Sequence, residues 1–151
     1  MINNSPIGIF DSGIGGLSVM SDIHSLLPNE SLFYIADSLY APYGCMTTKS
    51  VIERSVTVAD FLINYQNCKI IVVACNTATA NAIRELRRLY DIPIVGMEPA
   101  VKPASIATKL GRVGVLATSG TLESAKFSSL LDTYSGKVKF YTQACHGLVD
   151  L

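Results

Sequence analysis

Residues 69–90 constrain this chain more than any other stretch. The run Ile70, Ile71, Val72, Val73, Ala74 is apolar and mostly β-branched, the pattern of a strand covered on both faces. It passes through Cys75 into Asn76 and Thr77, both good helix N-cap types. The segment that follows, ATANAIRELRRLY, has the spacing of an amphipathic helix. A doubly covered strand feeding a helix implies a parallel sheet. Cys75 then falls at the C-terminal end of a strand and the mouth of a helix, where open α/β sheets bind ligands. A helix N-terminus favours a thiolate, so the expectation is a reactive thiol of lowered pKa.

The same alternation runs along the whole chain. Strands are expected at Pro6–Asp11, Ser31–Asp37, Lys69–Ala74, Pro93–Gly96, Arg112–Thr118 and Val138–Thr142. Helices are expected at Gly16–Leu27, Lys49–Tyr65, Thr77–Tyr90, Pro99–Lys109 and Thr121–Tyr134, with a Tyr-, Pro- and Gly-containing loop at Ser38–Thr48. This pattern predicts an α/β fold of three layers, a mostly parallel sheet flanked by helices. Right-handed crossovers would gather the strand C-termini on one edge. That edge would collect Asp11-Ser12, Asp37-Ser38, Cys75-Asn76-Thr77, Glu98 and Thr118-Ser119-Gly120-Thr121.

Composition removes several classes of function. The 151 residues are enough for one domain with a real core, at 49% hydrophobic and 16% charged. No apolar run reaches the length of a membrane span, and the N-terminus lacks the features of a secretion signal. Twelve basic residues balance twelve acidic ones, which argues against a nucleic-acid or acidic-membrane partner. The cluster Arg84, Arg87, Arg88 fits the solvated face of a helix. Cys45, Cys68, Cys75 and Cys145 form no CxxC pair, and His24 and His146 lie far apart. Neither a metal site nor a disulfide scaffold is expected, and reduced thiols in a cytoplasmic protein are.

Two turns invite a ligand. Asp11-Ser12-Gly13-Ile14-Gly15-Gly16 is a glycine-rich strand-to-helix turn that permits close backbone approach to an anion. A dinucleotide fingerprint is one alternative, with Asp37 as the ribose-binding acid. Against it, Ser18 stands where the third glycine belongs, and Asp11 would repel a pyrophosphate. The other turn is Ala41-Pro42-Tyr43-Gly44, either a plain turn or a pocket wall in which Tyr43 and the Gly44 amide touch a small ligand. With no histidine near Cys75 in sequence, general acid–base work suits the thiol better than acyl transfer.

Five segments in order, GIFDSGIGGLSV (8–19), YIADSLYAPYG (34–44), VVACNTATA (72–80), VGMEPAVKPA (95–104) and GVLATSGTLES (114–124), resemble the glutamate racemases of the aspartate/glutamate racemase family. The resemblance implies two similar α/β domains facing each other across the active site. Each contributes a cysteine, and no cofactor is used. One thiolate removes the α-proton of glutamate and the other thiol returns a proton to the opposite face. By the same resemblance Cys75 is the first domain's catalytic cysteine, and Asp11 assists its proton transfers. Substrate would be bound by Asp11, Ser12, Tyr43, Gly44, Asn76 and Thr77, with Thr118 and Thr121 as further contributors.

The family's Gly-Cys-Thr-His-type motif, which carries the second cysteine, is absent here, and Cys145-His146-Gly147 is not that site. Residues 1–142 are therefore expected to be the N-terminal α/β domain. Residues 143–151 would begin the crossover into a second domain, with a helix starting near Leu151. The implied role is supply of D-glutamate for peptidoglycan. Self-association into a homodimer would offer a second Cys75. A nucleotide-binding domain or a non-catalytic interaction module are the rival functions.

Overall fold

The computed structural model describes residues 4–136 and 138–148. Among the described residues six strands alternate with helices, six α-helices in all, the last two following one another. They are β1 (Ile7–Asp11), α1 (Leu17–Leu26), β2 (Leu32–Ala36), α2 (Thr48–Asp60), β3 (Ile70–Val73), α3 (Asn76–Leu89), β4 (Ile94–Gly96), α4 (Val101–Ala107), β5 (Arg112–Ala117), α5 (Ser119–Leu122), α6 (Ala125–Ser135) and β6 (Lys139–Ala144). Short 3₁₀ turns at Ser38–Tyr40 and Tyr43–Cys45 fill the expected loop. Every strand pair is parallel, and the α/β class follows from the same alternation seen in the sequence. No helix among the described residues is long and apolar enough to cross a membrane.

The strands do not form one continuous sheet, as expected from the sequence, but two. The first has the order β2-β1-β3-β4 and the second pairs β5 with β6. The break falls between Gly96 and Arg112, inside the span 1–142 expected as a single domain. Burial explains it. Every residue of β1 is buried, as in a strand covered on both faces. β5 instead alternates exposed and half-buried positions, which marks a sheet with one open face.

Alternation along β1 and β3 divides the core. Phe10, Ile71 and Val73 face α2 and α3, meeting Val58, Leu62 and Leu86. Ile9 and Val72 face α1, meeting Val19, Met20 and Ile23. Gly8 keeps β1 close to Cys68 and Ile71, since a Cβ there would fall 2.9 Å from both side chains. Cys68 is a buried core thiol, as expected for its place near a helix end.

Two helix expectations change at their ends. Lys49–Tyr65 becomes α2 followed by a π-helical turn at Phe61–Tyr65, closed by Asn67 in the left-handed region at φ 53°. Thr121–Tyr134 splits into α5 and α6. Ser124 starts a new cap, its Oγ accepting from the Phe127 amide at 3.1 Å and donating to the Thr121 carbonyl at 2.8 Å. The helix expected near Leu151 lies outside the described residues. Cys145 continues the line of β6, its amide donating to the Ala117 carbonyl at 3.0 Å.

Candidate active site

The C-terminal edges of β1 and β3 face the β5 edge and the α5 turn across a cavity of about 600 Å³. Asp11, Ser12, Cys75, Asn76 and Thr77 line one side, and Thr118 and Thr121 the other. Seven of the nine sequence-predicted site residues therefore meet at one cleft. Asp11 is the one charged side chain among the described residues lining it.

Cys75 caps α3. Its Sγ accepts from the Ala78 amide at 3.4 Å, and its thiol points to Ser12 Oγ at 3.6 Å. The expected fall in its pKa does not occur. Burial pushes the thiol up, and the Asp11 charge adds to that; the Ala78 and Ser12 hydrogen bonds oppose it and are outweighed. The helix N-terminus acts as foreseen, but on a side chain that is only 6% exposed. A thiol raised above its ordinary value stays protonated at neutral pH.

Asp11 organises the glycine-rich turn. Its Oδ1 accepts from the Ser12 amide and its Oδ2 from the Gly16 amide, both at 2.9 Å. The anion held at this turn is thus the protein's own carboxylate. Gly16 is required by the packing, because a Cβ would fall 2.9 Å from both Ala74 Cβ and Asp11 Cβ. Tyr34 donates to the Gly13 carbonyl at 2.8 Å, and its own pKa rises to about 12 through burial and the nearby Asp11 charge. The sequence drew no attention to Tyr34.

Three hydroxyls join the two sides. Thr77 lies 3.0 Å from Thr118 and 3.2 Å from Thr121, and Thr118 lies 3.1 Å from Thr121, oxygen to oxygen. Asn81 adds a bridge, its Nδ2 donating to the carbonyls of Thr77 at 2.9 Å and Gly120 at 3.4 Å. Asn76 is exposed at the cleft.

Tyr43 and Gly44 are placed differently from expectation. The Tyr43 side chain is 1% exposed and turned into the core, donating to Asp37 Oδ2 at 2.6 Å. Neither residue lines the cleft; Ala41 is the loop residue that does. Gly44 packs on Thr118 so closely that a Cβ would come within 2.5 Å of Thr118 Cβ. Glu98, also expected at this edge, pairs with Lys126 at 2.9 Å and does not line the cleft.

Asp37 is not free for a ribose. Arg54 holds it with a two-pronged contact, Nε to Oδ2 at 3.0 Å and Nη2 to Oδ1 at 2.8 Å. Burial alone would raise the Asp37 carboxyl, but the hydrogen bonds from Arg54 and Tyr43 and the Arg54 charge hold it below the usual range. With Asp11 filling the glycine turn and Asp37 paired, both anchors of a dinucleotide site are occupied by the protein itself. Arg54 was missed from sequence. Its signal is a charge set three residues after Val51 and four before Val58, on the apolar stripe of α2.

Relatives of known activity share this arrangement of chain. The Asp/Glu/hydantoin racemase family model matches residues 7–150. A glutamate racemase of Pseudomonas syringae pv. tomato is 56% identical over 149 residues, 98% of this chain and 54% of the relative. One from Pseudomonas aeruginosa is 52% identical over 150 residues, 99% of this chain and 56% of the relative. Among solved structures, Escherichia coli glutamate racemase in complex with L-glutamate and the activator UDP-MurNAc-ala superposes with a TM-score of 0.89 at 35% identity, covering 96% of this chain and 55% of that one. The Francisella tularensis enzyme in complex with D-glutamate gives 0.82 at 32% identity, covering 99% and 56%. The chain spans about half the length of the curated relatives it matches. With the family model spanning nearly its whole length, the chain belongs to the Asp/Glu/hydantoin racemase family.

Proposed function

We propose that this chain carries one of the two acid–base thiols of a cofactor-independent glutamate racemase, and that the thiol is Cys75. The observation that carries the proposal is the placement of Cys75 at the cleft, hydrogen-bonded to Ser12 and beside Asp11, Asn76 and Thr77. In the proposed reaction the Cys75 thiolate takes the α-proton of glutamate and becomes a thiol. A second thiol on the opposite face gives a proton to the carbanion and becomes a thiolate. The reverse direction exchanges the roles. The raised pKa of Cys75 makes its thiolate a strong base once formed.

Asp11 offers its carboxylate to the substrate ammonium and influences the Cys75 proton through its charge. Ser12, Asn76, Thr77, Thr118 and Thr121 supply hydroxyl and amide groups for the two carboxylates, the kind of preorganised donors that stabilise developing charge. Any contribution of Tyr43 and Gly44 to substrate binding would come through their backbone, because the Tyr43 hydroxyl is committed to Asp37. The family role is supply of D-glutamate for peptidoglycan synthesis, and so for cell wall biogenesis and cell shape, in the cytoplasm.

The test is calorimetric binding of L- and D-glutamate, together with an enzyme-coupled assay for D-glutamate. Binding with at most slow turnover is expected, since one thiol serves one face. Efficient racemisation that Cys75→Ala abolishes would overturn the need for a second thiol from another chain segment. Sedimentation with and without glutamate then shows whether a homodimer supplies it. Binding of neither enantiomer overturns the proposal.

A further inference from the structure

We propose that Asp37, Arg54 and Tyr43 form a clamp of positioning residues that holds segment 37–45 against the α5 turn and so sets the width of the cleft over Cys75. The proposal deepens the reading of that cleft as the substrate site and rests on it.

The segment is fixed at three points. At its start, the Asp37 amide donates to the Asp11 carbonyl at 3.0 Å. In its middle, the Arg54 guanidinium lies 3.8 Å from the Tyr40 ring centroid. Near its end, the buried Tyr43 hydroxyl joins Arg54 on the Asp37 carboxylate. Three charge-assisted hydrogen bonds thus converge on one carboxylate, fixing both a helix and a loop. A lysine could not reproduce the two-pronged contact.

The free end of the segment is what the clamp positions. Gly44 meets Thr118 with no room for a side chain, and a Cβ on Gly120 would lie 3.4 Å from the Gly44 carbonyl oxygen. Thr118 and Thr121 in turn touch Thr77, the second residue after Cys75. The route from Arg54 to the cleft wall is therefore continuous, through Asp37, Tyr43, Gly44 and Thr118. Because the β5–β6 sheet is not paired with β4, this packing is one of a few ties that hold its turn over Cys75.

The experiment follows iodoacetamide alkylation of each cysteine by peptide mass spectrometry, on the chain without ligand. Arg54→Met is expected to raise the Cys75 rate at least about fivefold by favouring a locally open cleft, while buried Cys68 keeps its rate. Tyr43→Phe, which removes one hydroxyl and keeps the ring, gives a smaller rise, and Arg54→Lys falls between wild type and Arg54→Met. An unchanged Cys75 rate in both Arg54→Met and Tyr43→Phe overturns the clamp. So does an equal rise at Cys68, which would report global unfolding instead. Glutamate protection of wild-type Cys75 is measured separately. Its absence would count against the substrate site, whereas the ligand-free rates judge the clamp alone.

Discussion

Replacing Asp11 by asparagine should lower both the stability of the chain and the pKa of Cys75. Both carboxylate oxygens accept backbone N–H groups at 2.9 Å, from Ser12 and from Gly16. An asparagine side chain offers one oxygen and one NH₂. Whichever way it turns, one backbone donor loses its acceptor and faces another donor. A hydrogen bond to a charged group contributes about 1.5–3 kcal/mol. Losing one at a residue 8% exposed should lower the melting temperature by roughly 3–12 °C for a chain of this size. The same substitution removes a negative charge that raises the Cys75 pKa, so the thiol becomes easier to ionise. Ser12→Ala should do the reverse at the thiol, since the Ser12 contact lowers that pKa. Thermal unfolding measures the first effect and the pH profile of iodoacetamide alkylation at Cys75 the second. A melting temperature within 1–2 °C of wild type, or profiles for Asp11→Asn and Ser12→Ala displaced the same way, would refute the reasoning.

Other outcomes follow from the same contacts. Gly44→Ala should destabilise by about 1–3 kcal/mol in urea denaturation through overpacking on Thr118, whose Cβ and Cγ2 the new methyl would meet at 2.5 and 2.6 Å. Stability should decline in alkali with a contribution from Cys75. Its folded pKa is raised, so the stabilisation is intact below the ordinary thiol value of about 8.5 and is lost as pH rises through the folded value. Cys75→Ala should flatten that part of the pH–stability curve. Thr79→Val should cost only about 0.5–1.5 kcal/mol, because the buried Thr79 hydroxyl donates to the Val73 carbonyl and accepts from the Met97 amide, both at 3.1 Å, but that amide also donates to the same carbonyl at 3.0 Å and stays paired without the hydroxyl.

The fold was legible where period and capping agreed. The β-branched run before Cys75 and the polar residues after it placed β3 and α3 within one residue of their observed ends, although the N-cap is Cys75 itself and not Asn76 or Thr77. The split into two sheets was not legible. Strand periodicity reports how a strand is covered but does not say which strand lies beside it, and β5 carries the same apolar alternation whether or not it pairs with β4. The site was legible at residues whose position follows from the strand edge, namely Asp11, Ser12, Cys75, Asn76 and Thr77. The place of the Tyr43 side chain was not legible, because a tyrosine in a Pro-Gly loop suits a pocket wall and a buried anchor equally well. Its hydroxyl partner, Asp37, lies six residues earlier, and the Arg54 that completes the contact sits on another element. The sign of the Cys75 pKa shift was misjudged for a related reason. The helix N-terminus is visible in the sequence, but the burial that outweighs it depends on the packing around the thiol.

The central claim is that Cys75 exchanges a proton with the α-carbon of glutamate from one face. Proton NMR in D₂O, with L- and D-glutamate supplied separately to the wild-type chain and to Cys75→Ala, measures this directly. Loss of the α-proton signal from one enantiomer, slow or absent inversion, and no loss with Cys75→Ala are the expected results. Equal exchange in Cys75→Ala, or no exchange from either enantiomer with the wild-type chain, would contradict it.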